Sequence, residues 1–418
     1  MDASPQQLRV DIAVVGGGIA GLVAAALARR QGLHVLVIDP APLGGRGRTV
    51  ERGGFLFNRG PHALYLGGPA ERVLRSLGCD LGGAPPSTSM FGRLDDRVQP
   101  LPTNLRTLVR TRLLGFKGKS AITRFQSRLA SSKASTLTGT TFAEWIDAQP
   151  LPADARALVE MLSRVATYTN APTLASADMV VGQMQQAMGK GVRYLHGGWQ
   201  SIVDHLAPAS AAHLHATASA ITRDGSDVVV ECAGGSHVVA KAVVVALTDP
   251  RATAGLLGRA PFMVGPPVEA SCLDLGLYVS PPLGLLLGVD QPLYLSVHSP
   301  SARLAPEGKA MVHVARYLAP GEQPEPAAQT AELLRLAARA GITAEHIVEQ
   351  RSLHRMTVAG ALPTAALGGL PGRPAATASG VDGVFLAGDW VGPRGHLLDA
   401  SLASAEDAVA AAVRLVRR

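Results

Sequence analysis

Residues 9–15 form a short run rich in β-branched side chains; Gly16, Gly17 and Gly18 interrupt it, and residues 19–31 continue as an Ala- and Leu-rich stretch ending at Gly32. That order predicts a strand, a glycine turn and a helix, and a second apolar strand is predicted over 34–38. Farther along, residues 213–221 and 227–232 read as a hairpin, followed by a strand over 242–246. Residues 384–386 read as a strand that meets Gly388 before a long Ala-rich helix over 397–416. Between these blocks the pattern changes. Residues 100–192 are mainly helical in pattern, whereas 273–279, 283–289 and 311–317 are apolar runs separated by Pro-Pro or Gly and predict antiparallel strands. Residues 319–327, rich in Pro and Glu, predict a surface loop, and no internal repeat is evident.

A chain of 418 residues is roughly three times a typical domain, which predicts two or three domains with ample core. Apolar residues are 47% and charged residues 17%, the composition of a globular chain. Aromatic side chains are 4%, too few to build the stacking platforms that bind single-stranded nucleic acid. The net charge of +7 invites an anionic partner, but residues 101–137 alone hold eight basic side chains and no acidic one, which leaves the remainder at −1 (7 minus 8). The basicity is therefore a local patch, and nucleic acid is not an expected partner. Three cysteines, far apart and without a C-x-x-C, argue against a disulfide framework or a zinc ribbon, and no metal is expected. Residues 1–10 lack the apolar run of a secretory signal, and the uncharged stretch 12–28 is broken by glycines. A cytoplasmic protein without a membrane span is expected.

The strand, glycine turn, helix and strand over residues 9–38 make a βαβ unit with Gly16-x-Gly18-x-x-Gly21 at its turn and Asp39 closing the second strand. Each position has a physical reason. Gly16 permits the tight turn, Gly18 lets a pyrophosphate approach the backbone, and Gly21 lets the helix pack closely on the strand. The helix start at Ile19 and Ala20 offers N–H donors and a partial positive charge to the phosphates, and Asp39 can accept hydrogen bonds from ribose hydroxyls.

The residues beyond the second strand narrow the choice of nucleotide. Leu43-Gly44-Gly45-Arg46-Gly47-Arg48-Thr49 and the turn Gly60-Pro61-His62 resemble the G-G-R-x-x-T motif and small-residue turn of the superfamily of FAD-dependent amine oxidases, protoporphyrinogen oxidases and carotenoid or squalene desaturases. Gly197-Gly198-Trp199 at a helix entry and Leu386-Ala387-Gly388-Asp389-Trp390 before the terminal helix extend the resemblance over most of the chain. It implies that Gly45 and Arg46 lie against the FAD pyrophosphate and that Gly60, Pro61 and His62 run beside the flavin ring. It further implies that Ala218 passes the adenine, that Gly388 and Asp389 meet the ribityl chain, and that the helix start at Leu398 faces the electron-rich side of the ring. A guanidinium's forked donors suit phosphate oxygens.

The fold class so implied is α/β: a discontinuous Rossmann-like FAD-binding domain over 1–75, 194–260 and 376–418, plus an α+β substrate domain over 76–193 and 261–375, an antiparallel sheet covered by helices. No second G-x-G-x-x-G comes after a strand, so electrons are expected to leave to oxygen or a quinone rather than through a nicotinamide domain. No cysteine occurs after Cys272, so the FAD is expected to be non-covalent. Two departures weigh against a typical amine oxidase: no lysine occurs between Lys241 and Lys309, and Leu397 stands where those enzymes place an aromatic residue before the last helix. With Trp390 as one wall, a largely aliphatic lining favours a hydrophobic, isoprenoid-like small molecule that is desaturated by hydride transfer to the flavin. The Leu-Ala-Gly-Asp-Trp wording is similar to the squalene and plant-type phytoene desaturase branch. Amine or porphyrinogen oxidation is the first alternative, and a non-redox flavin-dependent isomerase or mutase, or a nucleotide-binding scaffold, the second. The sequence does not fix the catalytic side chains; His62, Trp390 and His354 are the candidates. Residues 105–133, with Leu105, Leu108, Val109, Leu113 and Leu114 approximating one helical face amid arginines, read as either peripheral membrane contact at the inner face or a cap over the cavity.

Overall fold

The computed structural model describes residues 7–60, 62–95, 97–299 and 301–418. Its first sheet has seven strands built around Gln7–Val15, which pairs in parallel with Val35–Ile38 on one side and His237–Val245 on the other. The central strands are continuous apolar runs because parallel strands lie inside: Ile12, Val14, Val37, Val243 and Val244 have no exposed surface. His237–Val245 changes partners along its length. Its first half pairs antiparallel with Asp227–Cys232, and its second half pairs in parallel with Val384–Leu386. In this register Val15 sits opposite Ile38 and Val245, and Val245 opposite Leu386. Four strands therefore end at one edge, where ligands bind in open α/β sheets.

Small side chains let helices pack closely on this sheet. Ile19–Arg30 packs against Gln200–Ser210 and Leu398–Val416, and Ala24, Ala25, Ala28, Ala405, Ala408 and Ala412 are buried among them. The predicted strand over 213–221 is two strands. Ala212–Leu214 pairs in parallel with Val35–Ile38 at one edge of the sheet, and the chain then crosses to form a hairpin between Ala218–Asp224 and Asp227–Cys232 at the other.

The second sheet also has seven strands, mostly antiparallel, with Val268–Leu277 between Ala310–Tyr317 and Ile347–Ala359. The alternation along Val268–Leu277 sorts its two faces. Leu273, Leu275 and Leu277 pack with Leu333, Leu336 and Ala337 of the helix Pro326–Arg339. Ala270 and Cys272 face a layer of helices that includes Phe116–Ser131, Ala153–Thr167 and Ala177–Gly189. Farther along that second face, Gly276 lies under the Phe55 ring, where a Cβ would come within 2.9 Å of it. This seats the hairpin of Thr49–Arg52 and Phe55–Asn58 on the sheet.

Arg351 fixes the end of that hairpin. Its guanidinium donates to the carbonyls of Phe57 and Asn58 and pairs with Asp274, which is fully buried and accepts from His313 Nδ1 at 2.6 Å. The turn carrying His62 thus leaves a strand end held by the second sheet.

The tightest backbone contact in the first sheet tests the packing. A Cβ on Gly21 would lie 1.9 Å from the Gly16 carbonyl oxygen, which belongs to the turn and cannot rotate away. Gly21→Ala is expected to destabilise the protein by about 3 kcal/mol, the upper part of the overpacking range, seen as a lowered melting temperature with and without added cofactor.

Candidate active site

One cavity of about 1350 Å³, counting its solvent-open mouth, runs from the strand ends of the first sheet to the start of the terminal helix. Gly16, Gly18, Ile19, Ala20 and Asp39 line one part, Gly44 to Gly47 another, and Gly388, Asp389 and Leu398 the other end. The glycine turn is built from both sides. Asp39 Oδ2 accepts from Gly17 N at 2.7 Å, and Gly44 N donates to Gly17 O at 2.7 Å, so the second glycine loop rides on the first. A side chain at Gly16 would strike Ala246 O at 2.7 Å and one at Gly17 would strike Leu43 at 2.5 Å, but a Cβ at Gly18 meets nothing within 4 Å. The helix that begins at Ile19 has no side-chain cap, and neither has the one that begins at Leu398. Two uncapped helix starts and an unfilled glycine cradle at one cavity suit a phosphate-bearing, extended ligand.

The two loops that bracket the cavity are tied by charge. Arg46 Nη2 pairs with Asp389 Oδ2 at 2.6 Å, and Nη1 donates to Val358 O at 2.6 Å. Asp389 is 2% exposed; its other oxygen accepts from Gly360 N at 2.9 Å, and its carbonyl accepts from Arg373. Burial lowers Arg373 to about 10. Arg46 keeps further donors for phosphate oxygens, since a guanidinium carries five. Beyond Asp389, Gly388 N donates to Ser404 Oγ at 2.9 Å, which locks the strand end to the terminal helix. Leu397, at the start of that helix, holds φ +53°, a strained angle for a branched residue.

Two histidines in the lining are neutral. His62 Nδ1 lies 3.0 Å from Gly60 O, and a carbonyl can only accept, so Nδ1 carries the hydrogen and Nε2 is a free lone pair. Burial, with His313 and Arg46 nearby, lowers His62 to about 4. His396 is arranged with its nitrogens reversed. Nε2 donates to Thr167 O at 3.1 Å, Nδ1 is buried without a partner, and burial lowers this ring also to about 4. Asp399, in the same wall, accepts from Ala70 N and Gln186 Nε2, both at 2.7 Å, and burial raises its pKa.

Most of the expected cofactor residues meet at this cavity, and others are placed elsewhere. Gly21 lies behind the turn, packed on Gly16, and Gly60 is pressed against Met356 and Cys272 rather than into the lining. Pro61 lies outside the described residues. Ala218, half-buried, opens the outer hairpin and is not among the lining residues. Trp390 is a correction. It does not wall the cavity but is fully buried beneath it, its indole N–H donating to Leu247 O at 2.9 Å and its ring against Phe262. His354 is a second correction. A bulge near Leu353 and a positive φ at Arg355 turn it to solvent, and Met356, Thr357 and Val358 line the cavity instead. Sequence reasoning missed Arg59, Tyr65, Tyr168 and His396 in the wall. Trp199, quoted only within its glycine motif, also lines it, with its ring 5.2 Å from that of His62.

Four strand ends, two glycine loops and two uncapped helices around one elongated cavity define a dinucleotide-binding flavoprotein, and the residues present fit FAD. The sequence profile described as flavin containing amine oxidoreductase matches residues 19–254, more than half of the chain, and the chain belongs to that family, whose cofactor is FAD. It is 26% identical over 284 residues to a probable flavin-containing monoamine oxidase A of Dictyostelium discoideum, a match covering 60% of this chain and 60% of that relative's length. Its fold is similar to an oxidoreductase from Methanosarcina mazei, with TM-score 0.74 and 18% identity over 95% of this chain and 99% of that one. It is also similar to cyclohexylamine oxidase from Brevibacterium oxydans, with TM-score 0.73 and 17% identity over 98% and 100%.

Two outcomes test the site. Gly18→Ala, whose Cβ meets no protein atom, is expected to leave the apoprotein as stable or up to about 1 kcal/mol more so, while FAD affinity measured by fluorescence titration falls. The histidines make the apoprotein pH-sensitive. Unfolded, each binds a proton near 6.5; folded, not until about 4, so the unfolded state holds more protons between those values and stability falls as pH drops through that window. Each ring contributes roughly 2–3 kcal/mol to this loss. Urea denaturation across pH 4–7 is expected to show a shallower slope in His62→Asn and His396→Gln, which keep the donated N–H but cannot titrate.

Proposed function

We propose that the protein is an FAD-dependent oxidoreductase that dehydrogenates a largely hydrophobic, uncharged small molecule. Bound FAD supplies the hydride acceptor, and an external oxidant such as oxygen or a quinone takes the electrons on. The reading rests on the charge inventory of the wall. Each lining carboxylate is engaged: Asp39 by Gly17 and Ala41 N–H, Asp389 by Arg46 and Gly360, and Asp399 by Ala70 and Gln186. Among the described lining residues the one charged side chain without a partner is Arg59, a cation. A substituted ammonium would find each of these carboxylates already holding two hydrogen-bond donors.

Forming a double bond removes a hydride from one atom and a proton from its neighbour. His62 Nε2 is a lone pair in the lining that can accept that proton, and the Gly60 carbonyl fixes its tautomer. Because burial lowers the ring to about 4, it is unprotonated at neutral pH and a weak base that takes the proton only in passing and returns it readily. Tyr65 and Tyr168 offer aromatic surface for the apolar body of the substrate.

Amine oxidation is the second reading, favoured by those same two rings and by the names of the relatives. Anaerobic mixing with a polyene, an alkylamine and a porphyrinogen separates the two. The flavin band near roughly 450 nm is expected to bleach with the polyene class and not with alkylamines. Bleaching by amines alone would replace the proposal with the second reading. Turnover seen only after prior reduction, without bleaching by any donor, would replace both with an isomerase.

A further inference from the structure

We propose that the surface formed by residues 105–133 docks the protein onto an anionic lipid bilayer. The expected single helical face over 105–114 is not formed. Leu105–Arg110 is a short helix with a capping box at Asn104, the chain turns at Thr111, and Leu113 and Leu114 tuck into the core below Phe116–Ser131. The break divides the apolar residues by role. Leu108, Leu113 and Leu114 anchor the segment, whereas Leu105, Val109 and Phe116 point outward, 77%, 67% and 90% exposed. They are three of the four most exposed large apolar side chains among the described residues. Leu105 and Val109 share one helix face, and Lys119 Nζ donates to Val109 O at 2.7 Å, which draws the start of the second helix against the end of the first. The protruding side chains thus form one patch.

Cations surround the patch without acidic partners. Arg106, Arg110, Arg112 and Lys117 are exposed, and no described carboxylate pairs with them. Arg124 and Arg128 donate to Ser120 and Gln149, both neutral. Elsewhere several exposed arginines pair with acids, as Arg72 with Glu406, Arg75 with Glu71 and Arg394 with Asp407. Protruding aliphatic and aromatic side chains ringed by free cations match a bilayer that offers hydrocarbon beneath anionic headgroups. A second copy of the chain would bring like charges together, and nucleic acid would leave Leu105 and Val109 in water. No helix among the described residues is long and apolar enough to cross a membrane, so the contact lies at the interface. The same layer of helices reaches the cavity, because Ala153–Thr167 packs against Phe116–Ser131 and is followed by Tyr168 in the cavity wall. The docking proposal stands on the surface alone, whatever the substrate proves to be.

Flotation of the FAD-loaded full chain with vesicles tests it. Binding is expected to phosphatidylglycerol-containing vesicles at low salt, weakened by high salt, with phosphatidylcholine vesicles binding at least about tenfold less. Leu105→Ser, Val109→Ser and Phe116→Ser combined, and separately Arg106→Glu, Arg110→Glu and Lys117→Glu combined, are each expected to weaken it about tenfold or more at an unchanged melting temperature. Absence of flotation at low salt, equal binding to both vesicle types, or flotation undiminished in both variants would each overturn the proposal. So would a concentration-dependent dimer in place of lipid binding, abolished by the serine variant, which would make the patch an interface between copies, or binding to single-stranded DNA in place of lipid.

Discussion

Asp389 holds together segments that the chain keeps far apart. Its pairing with Arg46, 343 residues earlier, closes the glycine loops over the cavity, and its bond from Gly360 draws in the chain just past the last strand of the second sheet. With 2% of its surface exposed, this carboxylate has no water to fall back on. Removing one partner of a buried pair typically costs about 3–5 kcal/mol, because the remaining charge is stranded, although Arg46 is itself one-third exposed and softens that figure. The geometry of the cavity depends on this contact. Strand ends from the first sheet supply the wall, but the pair fixes how closely the first and last cofactor loops approach, and Val358, through its carbonyl, fixes where the second sheet meets them.

A second buried charge cluster performs the matching task for the chemistry. Arg351, Asp274 and His313 lie within the second sheet, yet what they restrain is the strand end that leads to His62. Net stabilisation from such a cluster is small once desolvation is counted, and replacing it with hydrophobic residues often stabilises a protein. Its worth here lies in position. An apolar substitute would let the hairpin slide on the sheet, and the tautomer and direction of His62 depend on where Gly60 is held. The second sheet is therefore tied to the cofactor loops through Val358 O and Gly360 N, and to the hairpin that leads to His62 through Arg351.

Local features of the fold were legible in the sequence, and pairings across the chain were not. Gly16, Gly18, Asp39 and the terminal Ala-rich helix announce themselves because a turn, a cap or a close approach depends on neighbours a few residues away. Arg46 and Asp389 each carry a cofactor motif, but their bond to one another requires knowing that Val245 lies beside both Val15 and Leu386. Trp390 belongs to the same motif as Asp389 yet points into the core, since a residue just past a strand end can face either side and only the packing of Phe262 and Leu247 decides. His354 fails for a related reason. Strand alternation would place it predictably, but the bulge and the positive φ at Arg355 reset the count. Tyr168 and His396 carry no motif at all; a helix end and the chain before the last helix converge on them only in three dimensions.

The fold itself cannot choose a substrate, because the same scaffold and cofactor serve several chemistries. What distinguishes them is the sign of charge the wall can tolerate. Two like charges about 6 Å apart at an effective dielectric near 20 repel by about 3 kcal/mol, enough to change affinity by roughly a hundredfold. Arg59 is exposed, so water screens it well below that figure, and Asp39 and Asp399 accept only from neutral N–H groups and so remain acids that an ammonium could approach. A hydrophobic molecule without charge meets no such penalty, and two neutral imidazoles, each fixed by a backbone carbonyl, leave its electrostatic surroundings unchanged as it binds. Under the proposed reading the apolar walls and the two fixed imidazoles, rather than a counter-ion, would meet the substrate.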